Sequence, residues 1–517
     1  LEASGLRSDD LGAVGDSDLV FVVKAKTEAA AESALSKVDL LMTRRAESID
    51  DFRPRSLRSA LRLLPDAKCV AVSIPGKFAA SVAREALDLN RHVFLYSDNV
   101  SVQEEAQLKQ EAASKGLLVM GPDCGTTILQ GVGLGFANRV RRGKIGIVGA
   151  SGTGIQAISS SIHALGAGIS HAIGTGGRDL SVEIGAVTAR QALNLLGRDP
   201  QTEVIVLVSK PPGATVAVSL LDQARAVGKP VVVAFLGRPV PSERLGNLYF
   251  ASTLSQAATL AVAALKDAGT AKFDQEVTDS GSPEVVGFVR GLFAGGTLAQ
   301  EILQGVSSFL YPVHSNLHDS ASLALEDPGS SEGHTILDLG DDTYTVGRLH
   351  PMIDQDLRLR RLRQEAADPR VSMIILDVVL GDGANPDPAG ELAPVIEEIL
   401  RERTIEFVAL VVGTDEDPQD LAAQLHRLRE VGARVVVDSS AALQLIEQHF
   451  RHAGVPTAAA GSAVDLELLQ SPLGVINVGL EMFFDSITVQ GFEAIQVDWR
   501  PPAGGNERLA SLLKRMK

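Results

Sequence analysis

Short apolar segments, each followed by a glycine-rich turn and a helical pattern, recur along this chain and constrain its fold more than any other feature. The clearest case is Lys144–Gly154, where β-branched residues precede Gly149, Gly152 and Gly154 and a helix is predicted over Ile155–Leu165. Strands that alternate with helices of this length favour a parallel, doubly wound sheet. The predicted fold class is therefore α/β, with doubly wound parallel-sheet domains in tandem.

Composition and charge narrow the function classes. Hydrophobic residues make up 45% of the 517 residues and charged residues 22%, which is typical of a globular protein. The formal net charge of −16 argues against a nucleic-acid partner, and no run of 18 apolar residues predicts a membrane span. With only Cys69 and Cys124, a reducing, cytoplasmic setting is expected. Because the sequence begins at Leu1, we expect that an N-terminal segment is missing.

Changes in pattern divide the chain into four predicted segments: domains over 1–140, 143–266 and 284–452, and a C-terminal extension over 471–517. Asp267–Pro283 and Ala453–Gly461 have the composition of linkers. The extension contains about one strand, one helix and one more strand, which is too little to form its own core. We expect it to dock on a partner subunit or another protomer, with the chain's own third domain as the alternative host.

Residue types that commonly bind anions follow the predicted strands of the second domain. Glycine turns at helix starts present free N–H groups, and Arg178, Lys210 and Arg238 add positive charge. The spacing matches neither the dinucleotide fingerprint nor the Walker loop. The predicted phosphate- or carboxylate-binding set is Ser151, Gly152, Thr153, Gly154, Gly176, Gly177, Arg178, Lys210 and Arg238, with Arg178 and Lys210 as catalytic residues. The alternative is a set of surface cations beside glycines that serve packing alone.

Acidic loops such as Gly340–Asp342 and Gly381–Gly383 contain oxygen ligands for a metal. Aspartate and glycine are also common in turns that hold no ion, and no spacing here is diagnostic. No metal site is predicted.

Several turns resemble those of succinyl-CoA synthetase. Gly121–Gly125 resembles the G-P-N-C-P turn of its α subunit, Ser151–Thr153 the S-R-S-G-T loop and Gly174–Asp179 the G-I-G-G-D loop. Asp338–Asp342 is similar to D-V-G-G-G in the β subunit's C-terminal domain. The resemblance implies a Rossmann-like CoA-binding-type domain followed by two flavodoxin-like domains, as if an α subunit were fused to a β-type domain.

The chain resembles the FdrA family more closely still, over essentially its full length. It carries G-P-D-C-G-T, G-A-S-G-T-G, H-A-I-G-T-G-G-R-D-L, V-S-K-P-P, L-G-D-D-T-Y-T-V-G-R-L-H-P-M-I-D and I-N-V-G-L. Members of that family carry an extra N-terminal segment. They are described as acyl-CoA synthetases, or as one subunit of an oxamate carbamoyltransferase in allantoin degradation, which interconverts oxalurate plus phosphate with oxamate plus carbamoyl phosphate.

The residues separate these implied functions. The ligases relay phosphate through a histidine after the strand corresponding to Val231–Leu236, but no histidine lies between His171 and His314 here. Lys210 stands where the ligases have a glutamate beside that phosphohistidine. A lost nucleophile and added cations favour direct transfer between bound anions. The first interpretation is therefore a carbamoyltransferase subunit that binds phosphate or carbamoyl phosphate.

Two alternatives stay open. One is a CoA-thioester ligase whose first domain binds CoA, and the other is a non-catalytic assembly subunit. No cofactor is certain. The expected partners are small anionic substrates and the other subunits of a hetero-oligomer, or copies of the chain itself, but neither nucleic acid nor a membrane.

Overall fold

The computed structural model describes residues 23, 25, 27–37, 53–237, 244–266, 287–307, 310, 312–317, 323–325, 327–450 and 473–499. Contacts divide the chain into two units, Leu1–Arg55 with Asp498–Lys517, and Ser56–Val497. Within the first unit, Thr27 caps a short helix and Arg55 lies 3.5 Å from the Asp498 carboxylate. Both predicted linkers and Arg238 lie outside the described residues.

The described strands alternate with the described helices along most of the second unit. In chain order the strands are β1 (Cys69–Ser73), β2 (His92–Leu95), β3 (Val119–Met120), β4 (Thr126–Leu129), β5 (Val132–Gly135), β6 (Arg142–Gly149), β7 (Ile169–Gly174), β8 (Val204–Ser209), β9 (Val231–Phe235), β10 (Arg244–Leu245), β11 (Leu248–Phe250), β12 (Phe288–Phe293), β13 (Val313–His314), β14 (His334–Asp338), β15 (Val371–Val379), β16 (Glu406–Val412), β17 (Arg434–Val436), β18 (Val475–Gly479) and β19 (Ala494–Val497).

The helices are mostly two to four turns long. They are α1 (Glu28–Leu35), α2 (Leu57–Leu63), α3 (Gly76–Asp88), α4 (Val102–Lys115), α5 (Gly152–Ala164), α6 (Val187–Arg198), α7 (Ala214–Ala226), α8 (Leu254–Lys266), α9 (Gly296–Val306), α10 (Asp342–Thr345), α11 (Asp356–Ala367), α12 (Pro388–Glu402), α13 (Leu421–Glu430), α14 (Ser439–Phe450) and α15 (Glu481–Val489). Among them, none combines the length and apolarity that a bilayer crossing requires.

The described strands form three sheets. The first has the order β19-β18-β1-β2-β3, the second β10-β11-β9-β8-β6-β7-β4-β5, and the third β13-β14-β12-β15-β16-β17. The pairs are parallel except for β4–β5, β4–β7 and β10–β11. The α/β fold class is therefore confirmed. The hairpin of β4 and β5 joins the second sheet, although it precedes the Lys144–Gly154 motif in the chain.

The C-terminal extension corrects one expectation. β18 pairs in parallel with β1 on one side and β19 on the other, with Ile476 opposite Val70 and Ile495. The extension therefore completes the first sheet, rather than docking on a partner or on the third domain. The physical reason is that β1 otherwise presents an unpaired edge made of buried apolar residues, and β18 supplies the missing ladder.

The second and third domains share one hydrophobic core. Side chains of α5, α8, α9 and α14 pack in a single buried cluster between their sheets, and Ile158, Ala261, Ile302 and Ile446 are among its members. Buried β-branched strands such as β6 and β9 supply the sheet faces of this core. Because α5 and α9 are fixed in one core, their first turns are held in a defined relation.

Candidate functional site

The N-termini of α5 and α9 meet at the boundary of the second and third domains. Ser151 caps α5 by accepting the Gly154 N–H at 2.9 Å, and its hydroxyl is also hydrogen-bonded to the Thr297 hydroxyl in the first turn of α9. A Cβ atom placed on Gly295 would lie 2.5 Å from Thr153 Cγ2, so only glycine allows this approach. Two helix N-termini, each carrying partial positive charge, therefore face the same point.

Thr126 adds a hydroxyl to this point that sequence reasoning did not single out. Its side chain is 1% exposed, and its Oγ1 has no hydrogen-bond partner in the described part of the protein. A Cβ atom on Gly152 would lie 3.1 Å from that oxygen, so the hydroxyl lies beside the first residue of α5. A buried hydroxyl without a partner is costly, and a bound polar ligand would satisfy it. Thr126 falls inside the G-P-D-C-G-T motif, which was its only sequence signal.

Lys210 follows β8 and reaches the start of α9. Its Nζ lies 3.6 Å from Asp338 Oδ2 and would lie 2.7 Å from a Cβ atom on Gly296, and 36% of its side chain is exposed. The structure thus brings the Ser151–Gly154 turn and Lys210 together with α9, an element of the third domain that was not in the predicted set.

Arg178 is engaged elsewhere. Its guanidinium donates to Glu105 Oε2 at 3.0 Å and to the Val100 carbonyl at 2.7 Å, both in the first domain. Beside it, the fully buried Lys109 bonds Glu105 and Asp179, each at 2.8 Å. The fork that we expected to face an oxyanion therefore fastens the second glycine turn to α4 in this structure.

Gly176 and Gly177 bring that turn against the loop after β3. Gly176 has a φ of +89°, and a Cβ atom on Gly177 would lie 2.8 Å from Asp123 Oδ2. Because Gly176 and Gly177 lack side chains, the Pro122–Asp123 segment can pack directly against them. Gly152 and Gly154 have a different position, in the first turn of α5.

Several carboxyl groups lie around Lys210, which the sequence analysis did not predict. Asp123 is exposed at the surface, but many protein atoms lie around its carboxyl group. The resulting desolvation raises its pKa to about 7, although the positive charge of Lys210 acts to lower it. Desolvation also raises the pKa of Asp338 to about 6, and it raises the pKa of Asp342. Asp98, Asp338 and Asp342 act on Asp123 in the same direction. The sequence predicted a pocket of several cations. Among the described residues, the structure instead places one lysine, Lys210, near several carboxyl groups and two helix N-termini.

His350 is a second side chain that sequence reasoning did not select. Burial, together with the charge of Arg358, lowers its pKa to about 4, so the imidazole is neutral. Its Nδ1 accepts the Met352 N–H at 3.2 Å, which leaves the proton on Nε2. That Nε2 would lie 2.7 Å from a Cβ atom on Gly340, in the loop that follows Asp338. The ring is therefore set as a hydrogen-bond donor and not as a nucleophile.

No group of three or more histidine, cysteine or acidic side chains in the described ranges is arranged to hold a metal ion.

Comparison with known proteins gives two family matches and a relative that covers most of the chain. The family described as succinyl-CoA ligase like flavodoxin domain matches residues 142–277, and the family described as CoA-ligase matches residues 292–448. The Escherichia coli protein YahF, described as uncharacterized, is 41% identical over 467 residues, which is 87% of this chain and 90% of YahF.

More distant relatives match a part of the chain. Subunit alpha 2 of the ADP-forming succinate–CoA ligase of Archaeoglobus fulgidus is 30% identical over 198 residues, which is 37% of this chain and 67% of that subunit. A solved structure of a dinucleotide-forming acetyl-coenzyme A synthetase from Ca. Korarchaeum cryptofilum, in complex with phosphate and ADP, aligns at 14% identity and a TM-score of 0.30, covering 74% of this chain and 83% of that one.

Proposed function

Because the chain belongs to the family of Escherichia coli YahF and carries CoA-ligase and succinyl-CoA ligase-like domains, we propose that it is an enzyme subunit of the acyl-CoA synthetase type. Its reaction joins phosphate to an acyl group or releases it again. The observation that carries this proposal is the convergence of the N-termini of α5 and α9 beside the unpartnered hydroxyl of Thr126. Such a junction binds an anion of the size of phosphate.

The transfer is direct and forms no phosphohistidine. The sequence has no histidine in the loop after β9, and His350 holds its Nε2 proton because Nδ1 accepts a backbone N–H. Phosphate bound at the helix N-termini therefore attacks the acyl carbon itself. Lys210 and the helix N-termini stabilise the oxyanion that develops.

A carbamoyltransferase subunit of the oxamate type is the second candidate. A carbamoyl group is an acyl group that carries nitrogen, and its N–H groups are donors for carboxylates. Asp123 and Asp338 supply acceptors near Lys210 for these N–H groups, whereas the reacting carbonyl and sulfur of a thioester carry no N–H. In this form the substrates are oxalurate and phosphate, and the products are oxamate and carbamoyl phosphate.

Under the first candidate CoA is a substrate bound by the first domain, and under the second it takes no part. In both, the subunit works in the cytoplasm within a homo- or hetero-oligomer. In the described sheet β18 is paired with β1 on one side and β19 on the other, so β18 offers no free edge for strand pairing with a partner.

A hydroxylamine trap tests the proposal and separates the candidates, because hydroxylamine converts acyl phosphates into stable hydroxamates. The full chain, with any co-purifying subunits, is mixed with phosphate and either succinyl-CoA or oxalurate. Phosphate-dependent product from succinyl-CoA supports the first candidate, and hydroxyurea from oxalurate supports the second. No product from either donor contradicts the proposal.

Labelling with γ-labelled ATP tests direct transfer in the same preparation. We expect no acid-labile phosphoprotein. Stoichiometric label that mild acid removes, and that disappears in His350→Gln, would contradict direct transfer.

A further inference from the structure

The loop between β3 and β4 places one carboxyl group where it can give a proton to a reacting substrate. We propose that Asp123 is the general acid of this site and protonates a nitrogen leaving group while phosphate attacks the adjoining carbonyl carbon. This inference rests on the second candidate of the proposed function, the carbamoyltransferase, whose leaving group is an amide nitrogen rather than a thiolate.

The backbone of the loop between β3 and β4 fixes the position of Asp123. Its N–H donates to the Ser97 carbonyl at 3.0 Å, and its φ of +52° lies in the left-handed region, which aspartate tolerates better than most residues. Gly177 lies against its Oδ2, so the side chain is confined on one side by the second glycine turn. On the other side it is open to solvent and to a substrate.

Four charged side chains from four other segments of the chain act on the carboxyl group of Asp123. Lys210 follows β8, Asp338 ends β14, Asp342 begins α10 and Asp98 follows β2. Lys210 favours the carboxylate, whereas desolvation and the three aspartates favour the protonated acid. The balance raises the pKa of Asp123 to about 7, which suits a group that must give up a proton near neutral pH.

Attack by phosphate and proton transfer from Asp123 together break the C–N bond. An oxygen of phosphate forms a bond to the carbonyl carbon, and the C–N bond then breaks with its electron pair passing to nitrogen. Asp123 gives its proton to that nitrogen, so the products are an acyl phosphate and a neutral amide or amine, and the carboxylate regains a proton from solvent. A thiolate, with a thiol pKa of about 8.5, leaves without this help. An amide nitrogen is far more basic and does not.

Asp123 also replaces an asparagine of the G-P-N-C-P turn that the chain resembles. Asparagine has the same shape but no proton to give at neutral pH. Asp123→Asn is therefore a matched variant that keeps the turn, and Asp123→Gly, which accepts the same φ, leaves a space for an added acid.

The experiment measures kcat and KM for oxalurate with phosphate from pH 5.5 to 9, and phosphate affinity by calorimetry. For Asp123→Asn we expect kcat to fall by about 10²- to 10⁴-fold with phosphate affinity unchanged. We expect imidazole, which is partly protonated near neutral pH, to restore part of the activity of Asp123→Gly. In the wild type the rate falls above the pKa of Asp123. Asp98→Asn removes a neighbouring negative charge, so it should move this alkaline limb to lower pH.

The outcomes distinguish the two levels of the proposal. A wild type that binds no phosphate and consumes no donor overturns the proposed function and this assignment with it. A wild type that binds phosphate and consumes succinyl-CoA but not oxalurate overturns the role of Asp123 alone. The same holds for a wild type that turns over oxalurate with an alkaline limb that Asp98→Asn does not move, or with Asp123→Asn within threefold of its rate.

Discussion

At the scale of single residues, Lys210 forms an ion pair with Asp338, and its position in the sequence did not indicate this partner. Lys210 directly follows β8 and precedes Pro211, which disfavours helical backbone at the residue before it. Its partner Asp338 comes from the end of β14 in another domain and is only 5% exposed. Removing the lysine charge therefore has two effects, since it weakens anion binding and leaves a buried carboxylate unpaired.

Substitutions at Lys210 separate these effects. Lys210→Met should weaken phosphate binding by about one to two orders of magnitude, as one charge-assisted contact of roughly 1.5–3 kcal/mol is lost. Lys210→Glu should be worse, because it adds repulsion. Lys210→Met/Asp338→Asn should recover part of the loss because the repelling carboxylate is neutral. Calorimetric titration with phosphate measures all three, and equal affinities would show that Lys210 does not bind the anion.

The residues that sequence analysis found and those it did not find differ in their local signal. Glycine turns such as Ser151–Gly154 are predictable because strand, turn and helix follow one another in the chain. Thr126, His350 and Asp338 reach the site through contacts between domains, and no spacing encodes them. Sequence analysis did not predict the carboxyl groups of the site. It selected the cations that follow the strands of the second domain, and it interpreted the loops that contain Asp123 and Asp342 as turns.

At the scale of elements, the strand–turn–helix units were largely predictable, but their partners were not. Alternation of β-branched runs and helical patterns anticipated β6, β8 and β9 and the helices that follow them. The pairing of β18 with β1 joins residues about 400 positions apart, and a strand's sequence does not state which edge it will join. The α9 turn repeats the strand–glycine–helix pattern of the α5 turn, yet nothing in either local sequence indicated that the two would meet.

The docking of β18 predicts a local cost of mutation. Ile476→Ala, at a fully buried position between β1 and β19, should destabilise the first sheet by about 2–5 kcal/mol. Hydrogen exchange of the β1 and β2 amides reports this loss, and the matched change Val489→Ala, at a position 71% exposed in the same extension, should leave exchange unchanged. Unaltered β1 exchange in Ile476→Ala would contradict this docking.

At the scale of the whole molecule, a carboxyl group connects the second and third domains. Glu301 of α9 is buried, and its Oε1 accepts the Leu254 N–H at the start of α8 at 2.8 Å. Burial raises its pKa from 4.5 to about 7. Between these two values the folded protein holds a proton that the unfolded chain has lost. This group therefore lowers stability as pH rises through that window, by about 1.4 kcal/mol per pH unit.

Glu301→Gln keeps an oxygen for the Leu254 N–H and removes the titration. It should raise the unfolding temperature at pH 8, where the penalty is complete, and have little effect at pH 5. Thermal unfolding at the two pH values measures this, with the exposed Glu430→Gln as control. A gain that is equal at pH 5 and pH 8 would exclude a buried, protonated Glu301.

Calorimetric titration of inorganic phosphate into the 517-residue chain tests whether an anion binds where the N-termini of α5 and α9 meet. We expect one phosphate to bind per chain. In Gly295→Ala we expect at least a tenfold weaker affinity, because the added methyl group pushes Thr153 and the two helix N-termini apart. Ser307→Ala, at the opposite and exposed end of α9, should bind as the wild type does. No binding by the wild type, or equal binding by Gly295→Ala, would contradict the claim.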